Sequence, residues 1–598
     1  MVDSQTKTAK KGNRANMTDL FIFIIIVLII SNNPSLSTYL RIALILVYPL
    51  IFIPIAMILG GTPGQRLLGL KLRKKEDHDR FISLKNAYAR VALVLLDYTI
   101  GIGGKPADKT PEHDDKTHTA LIDIESELDD ESKERRIKQK AKVNFIITSV
   151  IYIAWVIWLG NYWFLLGLPV IFDLYISKKV NWTPWKKREG PNHWAIEWLD
   201  ALIFAVVAVT IINIFLFQNY KIPTGSMEKS LLIGDHLYVS KVAYGPRIPQ
   251  TPLSIPFMQH TIPGTTTKSY VEWIELPYKR LKGFSKIKRD DPVVFNFPAG
   301  DTVIKEPEYQ SLSYYYWVRN EGERLKELDM YTKKPIKSDD EYYRLGRENI
   351  WKQHDILVRP VDRRDNYIKR CVAIAGDTLE IKRGVVYVNG HKQKEIEGLQ
   401  YMYGVRTDGR RLNDKRLEKL GINKSDIKYA SGFSILQVPL TSKMVEEIKK
   451  NALVQAVEPL FAQPGYVDNK MFPHDARFDW NLDYYGPIYI PKKGATVDID
   501  LDNLPLYERI IGHYEENDLK VKDSIIYING EPSTTYTFKM NYYWMMGDNR
   551  HSSLDSRYWG YVPEDHIVGK PKFVWLSLDK DKPFPRNIRL KRMFMGIR

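Results

Sequence analysis

The sequence predicts a mixed fold: an N-terminal, multi-pass α-helical membrane region, then a mainly antiparallel β domain with a large α/β insertion or cap. Three observations predict it. Long apolar runs are confined to the part of the 598-residue chain before residue 218. Beyond residue 236, short runs rich in Val, Ile and Tyr alternate with turn residues. Two of these runs end in Asn-Gly, at Asn389-Gly390 and Asn529-Gly530, a strong hairpin signal.

The apolar runs come first along the chain. Leu20 to Ile30 and Tyr39 to Leu59 are separated by the turn Ser31-Asn32-Asn33-Pro34. Phe145 to Leu159 and Tyr162 to Ile176 flank Gly160-Asn161. Each of this second pair is near the lower limit for a span, roughly 17 residues, so a tight hairpin and one long tilted span both fit. Ala201 to Phe217 is the clearest span, with Trp194 and Trp198 as interfacial anchors. Phe81 to Ile102 carries Lys85, Arg90 and Asp97 among apolar residues and reads as an interfacial or re-entrant helix. No small-residue cleavage pattern follows the first run, so it reads as a retained span.

Five spans place every Lys/Arg cluster on one side: Lys7 to Arg14, Arg66 to Lys75, and Lys178 to Arg188. By the positive-inside rule, the N-terminus is then cytoplasmic and everything after residue 218 is extracytoplasmic. The net charge of +16 points to anionic membrane lipids as partners, because the basic clusters border the spans. No nucleic-acid motif accompanies it, so nucleic acid is not an expected partner. The single cysteine, Cys371, excludes an internal disulfide and a cysteine-based metal site. Residues 105–143 form a charged linker, acidic over Asp123 to Glu134 and basic over Arg135 to Lys142, and read as a solvated helix or a tether.

In the second half, strands are expected at Leu237 to Ser240, Pro292 to Phe295, Tyr367 to Ile374, Leu379 to Ile381, and before each Asn-Gly turn. Residues 395–522 hold helical pieces such as Ser442 to Asn451 along with turns, and read as the insertion or cap. No period repeats, which argues against a solenoid or propeller.

The chemistry has few carriers. The chain lacks H-E-x-x-H, a cysteine pair and a phosphate-binding glycine loop, and no metal or organic cofactor is implied. His236, His551 and His566 lie near the interesting segments, but isolated histidines usually serve packing or the surface. What stands out is Pro223-Thr224-Gly225-Ser226-Met227, delivered directly beyond a span, and Tyr367-Ile368-Lys369-Arg370 further on. A serine and a lysine are one of the few ways to build a hydrolase without histidine. Arg370 is no candidate base, because a guanidinium does not deprotonate. An ordinary lysine, with a pKa of about 10.4, is protonated and no base; burial against apolar neighbours lowers that value.

These segments occur in order with Gly376-Asp377 and with the box Gly547-Asp548-Asn549-Arg550-His551-Ser552-Ser553-Leu554-Asp555-Ser556-Arg557. Together they resemble the successive boxes of bacterial type I signal peptidases. Asp291-Pro292-Val293-Val294-Phe295 is similar to the family's intervening strand box, and Tyr558 to Pro563 with Val568-Gly569 extends the last one. The resemblance covers roughly residues 196–575. It implies Ser226 as nucleophile and Lys369 as general base. Thr224 falls where the family places a hydroxyl donor to the oxyanion, and Ser553 where a serine orients the lysine amine. Ile222, Met227 and Tyr367 are implied as substrate-binding residues, and Asp548, Asp555 and Arg557 as structural support. Three departures stand out: Lys229 in place of a usual proline in the helix after the serine, His551 in place of an acidic residue, and the extra sequence at 395–522.

Residues 17–104 carry a second resemblance. Gly61-Thr62-Pro63-Gly64-Gln65-Arg66-Leu67-Leu68-Gly69-Leu70-Lys71, followed by Arg90, is similar to the RDD membrane-domain family. The expected organisation is therefore an RDD-like membrane region at 1–104, the cytoplasmic linker at 105–143, and a membrane hairpin with a basic loop at 144–195. A transmembrane anchor follows at 196–218 and the β-rich peptidase domain at 219–598. The resemblance implies a serine endopeptidase of the bacterial inner membrane that removes signal peptides from exported preproteins, with the export machinery a candidate further partner. The competing expectation is an RDD-type membrane protein whose outer domain binds substrates without cleaving them.

Overall fold

The computed structural model describes residues 119–123, 130–160, 162–182, 193–422, 426–430 and 434–597, with scattered residues before 90. The chain divides into two compact units, Met1–Trp185 and Lys186–Arg598. Most of the segments expected as spans at 20–30 and 39–59, the 81–102 helix and the RDD-like motif lie outside the described residues.

In the first unit, α1 (Asp130–Leu159) begins in the charged linker and runs on into the apolar segment without a break. The basic stretch Arg135 to Lys142 is thus a solvated helix continuous with the candidate span Ile137–Leu159. Gly160, at φ 64°, ends the helix. The chain then folds back on α1, with Phe172 edge-on to Phe145 at 5.7 Å and the Tyr152 hydroxyl donating to the Phe164 carbonyl at 2.6 Å. Of the two arrangements the sequence allows, this is the hairpin. Its returning apolar helix, Phe164–Ser177, falls below the length of a full span. The sequence reading missed a two-stranded pairing: Leu70–Lys74 in the basic loop runs antiparallel to Thr119–Asp123 in the linker.

The second unit opens with α2 (Trp194–Phe215), long and apolar enough to cross a membrane and with none of its candidate span buried. It leads directly into β1 (Phe217–Lys221). An antiparallel sheet is then assembled from β2 (Asp235–Ser240), β3 (Pro292–Asn296), β4 (Asn366–Ala373), β5 (Tyr542–Met546) and β6 (Ile567–Ser577). The spatial order is β5-β4-β3-β6-β2-β1, with Val562–Pro563 outside β5. All five residues of β3 are buried, because both faces of the sheet are covered. Val294 packs with Ile222, Met227, Leu237 and Val568, while Val293 and Phe295 pack with Cys371, Met545 and Trp559. This is the period-2 alternation of a strand with two buried sides.

Both Asn-Gly turns form as expected. Asn389 and Gly390 sit at φ 53° and 77°, and Asn529 and Gly530 at φ 54° and 89°, the double positive φ of a type I′ hairpin turn. Ser442–Lys449 is helical, in line with the sequence. Within 395–522, the sheet of Tyr401–Thr407, Lys428–Ala430, Ile435–Leu440 and Val454–Pro459 encloses an apolar core of its own. Met471, Trp480, Leu504 and Ile510 instead pack with Trp544 and Tyr561 of the main domain.

The sequence reading also missed a helical hairpin, α3 (Tyr314–Tyr331) and α4 (Asp339–Gln353), set between two short strands. Ser313 and Ser338 cap it, accepting from the N–H groups of Tyr316 and Glu341. The two helices touch at glycines. A Cβ on Gly346 would lie 2.4 Å from the Val318 carbonyl oxygen, and one on Gly322 2.8 Å from that of Tyr342.

Candidate active site

Ser226 is presented by a short turn between two anchored strands. Ile222, directly after β1, donates its N–H to Asp235 O and accepts from Gly234 N, both at 2.9 Å. Pro223 and Thr224 lead out of this clamp into one 3-10 turn, Gly225–Met227. The helix after the serine that the resemblance implied is reduced to this single turn. Glu228 N–H closes the turn on Gly225 O, and Lys229 follows at φ 71°. A proline there is sterically excluded, since its ring holds φ near −65°. The Lys229 ammonium instead donates to Gly421 O in the cap, at 2.5 Å.

The last box holds this turn from the other side. Asn549 N–H donates to Ser226 O at 3.1 Å, and its side-chain amide to Gly225 O at 3.3 Å. Gly547 permits that approach: a Cβ there would lie 2.6 Å from Ser226 O and 2.3 Å from Ser553 Oγ.

Lys369 lies on β4, opposite Val293 of β3. On its other side β4 pairs with β5 only from Arg370 to Ala373. Among the described residues no strand covers that edge over Asn366 to Lys369. Ser226 and Lys369 line one cleft of about 700 Å³, together with Thr224, Ile222, Met227 and Tyr367. Ile222 and Met227 are buried in its apolar wall. Tyr367 stacks on Phe297 with ring centroids 4.4 Å apart. Thr224 is exposed, and its side chain makes no capping hydrogen bond.

Lys369 is 4% exposed, and its amine has no hydrogen-bond or ion-pair partner among the described residues. Burial drives its pKa down to about 8, with Asp555 opposing that shift and Arg557 reinforcing it. The nearby carboxylates do little to restore the charge, because each already has an arginine. Asp548 takes both Nε and Nη2 of Arg370, at 2.8 and 2.7 Å, and the Ser230 hydroxyl at 2.5 Å. Asp555 takes Nε and Nη2 of Arg557, at 2.9 and 2.8 Å, and the Gly547 N–H at 3.1 Å. Burial opposes ionisation of Asp555, yet Arg557 holds its carboxyl below the usual range. The arrangement is a serine hydroxyl and a lysine amine of lowered pKa lining one cleft, braced by two buried ion pairs.

Six of the ten residues singled out in the sequence therefore share the cleft, and Asp548, Asp555 and Arg557 lie buried behind it. Ser553 is 5% exposed beside Gly547, but its hydroxyl has no hydrogen-bond partner, Lys369 included. His551 does not face the cleft cavity. Its Nδ1 accepts from Met402 N–H at 3.0 Å and its Nε2 meets Asp483 at 2.9 Å, which ties the last box to the cap region. His566 is buried between Asp565 and Arg364. Sequence reasoning missed the bracing roles of Arg370, Asn549 and Ser230. Arg370 had a signal, since a buried strand position seldom carries an unpaired arginine. It also missed the cleft's far wall, Tyr309 to Ser313 at the foot of α3.

Comparison with known proteins matches the family model described as "Signal peptidase, peptidase S26" to residues 195–428 and 490–576. A protein named signal peptidase I from Buchnera aphidicola subsp. Acyrthosiphon pisum is 23% identical over 444 residues, covering 73% of this chain and 94% of that protein. One from the Schizaphis graminum subspecies is 24% identical over 404 residues, covering 66% and 80%. A shorter match, 47% identical over 57 residues, links 9% of the chain to 16% of signal peptidase I from Haemophilus influenzae.

Proposed function

The chain belongs to the signal peptidase S26 family, and from that membership we propose how its residues carry out the family's reaction. It is a serine endopeptidase that removes signal peptides, and its substrates are preproteins that carry them. In the proposed mechanism, the neutral Lys369 amine takes the proton of the Ser226 hydroxyl. The Ser226 oxygen attacks the scissile carbonyl, forming an acyl-enzyme as the peptide nitrogen leaves with the proton from Lys369. Water, deprotonated by Lys369, then releases the signal peptide from Ser226. The Thr224 hydroxyl and the Ser226 N–H are the donors to the oxyanion. Ser553, whose buried hydroxyl is unpaired, is the proposed orienter of the Lys369 amine.

The observation that carries this reading is the buried, unpaired Lys369, with its pKa lowered to about 8, in the cleft that also holds Ser226. The uncovered edge at Asn366 to Lys369 supports binding of the substrate segment as an added strand. Ile222, Met227 and Tyr367 then line the pocket for its small residues.

Among the described residues, two helices, Ile137–Leu159 and Trp194–Phe215, are long and apolar enough to cross a membrane. We read α2 as the span that holds the nucleophile at the membrane surface, with Trp194 and Trp198, both well exposed, as its anchors. The wider proposal is a multi-pass protein of the inner membrane, with a cytoplasmic N-terminus, an extracytoplasmic catalytic domain and an RDD-like region as added anchor. The test is cleavage of a preprotein by the purified full-length chain. Ser226→Ala and Lys369→Ala are expected to lose at least about a thousandfold in rate while keeping the wild-type unfolding midpoint. Undiminished cleavage by either variant overturns the dyad.

A further inference from the structure

A second cavity, of about 400 Å³, opens where α2 meets the sheet and plays no part in the chemistry above. Thr210, Asn213 and Ile214 line it from the last turns of α2. Their spacing puts all three on one face of the helix, so the end of the span turns polar groups toward the cavity. Gln218 on β1, Lys241 directly after β2, Arg247, and the pair Asp362 and Arg363 are among the other polar residues that line it.

The charges in this pocket do not cancel. Asp362 accepts from the N–H and hydroxyl of Thr251, at 3.0 and 3.1 Å, and lies 4.0 Å from Arg363. Arg363 in turn donates to Thr251, which accounts for that pair. Arg247 donates to the Asn296 side chain at 2.6 Å and to the Asp565 carbonyl. The Lys241 ammonium has no hydrogen-bond or ion-pair partner among the described residues. Burial, and then the Arg247 charge, push its pKa down to about 7. An anion in the pocket relieves both penalties, by pairing with Lys241 and by screening it from Arg247. The amide N–H groups of Asn213 and Gln218 are further donors, since the Gln218 carbonyl oxygen, not its amide, is engaged by Tyr220. Ile255 and Phe257 also line the pocket and are 42% and 66% exposed. Apolar side chains beside a cationic pocket suit a molecule with a charged head and an acyl tail.

We propose that this pocket binds the phosphate of an anionic phospholipid headgroup, with Lys241 and Arg247 as cationic ligands and Asn213 and Gln218 as hydrogen-bond donors. The proposal rests on α2 being a membrane span, which brings the pocket to headgroup depth. Lipid binding at this point fixes the end of α2 against the sheet that continues from it, and so steadies the strand leading to Ser226.

The test uses the full-length chain in neutral detergent and counts bound lipid by native mass spectrometry. It is titrated separately with short-chain phosphatidylglycerol, short-chain phosphatidylcholine and inorganic phosphate. One phosphatidylglycerol is expected to bind about fivefold or more tighter than phosphatidylcholine, falling about fivefold in Lys241→Gln and recovering in Lys241→Arg. Thermal unfolding without lipid checks that both variants are folded. Unchanged binding in Lys241→Gln, or equal affinity for the two lipids, overturns the proposal. Inorganic phosphate binding as tightly as phosphatidylglycerol overturns the headgroup as its source. No cleavage is measured, so a failure here leaves the peptidase reading untouched, and a failed dyad leaves this one standing.

Discussion

The sheet that carries Lys369 and the sheet of the cap are built by the same antiparallel pairing, yet they bury different chemistry. The cap core is apolar, with Val405, Leu417, Leu436, Val438 and Met444 at its centre. Its charges stay outside, in exposed pairs such as Lys443 with Glu397. Around β4 the protein buries Lys369, Arg370, Asp548, Asp555 and Arg557. Desolvating such groups costs several kcal/mol each, and pairing seldom returns more than it took. A fold gains little stability this way, and the cap shows that an apolar core was available to the same chain. Of the five groups, Arg370 with Asp548 and Arg557 with Asp555 form ion pairs. Lys369 is left over. In the proposed mechanism the paired charges are the scaffold, and the unpaired one is the reagent.

The largest expected effect breaks the scaffold. Asp555→Asn leaves Arg557 buried without its counter-ion, and about 3–5 kcal/mol of stability is expected to be lost in chemical unfolding. A loss below about 1 kcal/mol would show that water already reaches the pair. In the cap, Leu436→Ala opens an apolar cavity at a fully buried position and is expected to cost about 2–5 kcal/mol. Hydrogen exchange should show that loss over the 401–459 sheet and leave β4 protected, if the separate core is a separate unfolding unit.

Thr224→Val keeps the shape of the proposed oxyanion donor and removes its hydroxyl. The expected cost is about 100-fold in kcat, with KM little changed and with recovery in Thr224→Ser. A KM effect alone would move Thr224 from the oxyanion to ground-state binding. The mildest lever is pH. As the proposed base, Lys369 can act only when neutral, and its pKa of about 8 lies below the ordinary lysine value. The kcat/KM value should therefore rise about tenfold per unit up to pH 8 and level off above it. A limb continuing to pH 10 would mean that Lys369 is solvated and that its burial has no catalytic consequence.

How much was legible depended on sequence distance. The last box could be read because its parts are contiguous, and Asp555 with Arg557 forms an ion pair two residues apart. Arg370 with Asp548 is the equivalent pair across 178 positions, and no local pattern announces it. The α3–α4 hairpin was hidden by its composition. Tyr314-Tyr315-Tyr316-Trp317 has strand propensity, and Gly322 and Gly346 weaken a helix. Only packing shows those glycines to be contact points. Its capping signal, Ser338 with Glu341 three residues on, was present in the sequence. The two Asn-Gly hairpins were read correctly because positive φ at both turn positions is a local requirement.

By itself the sequence determined which reactive groups the protein has and in what local settings. Hydroxyl, amine, span and turn are properties of short segments, and their order carries the resemblance to the family. Only the tertiary structure decided how readily the Lys369 amine gives up its proton. Proton affinity depends on the water excluded and the charges facing the amine, and those come from β3, β4 and the last box together. Had Asp548 and Asp555 lacked their arginines, the same Lys369 would have been an ion-pair partner with its charge held in place.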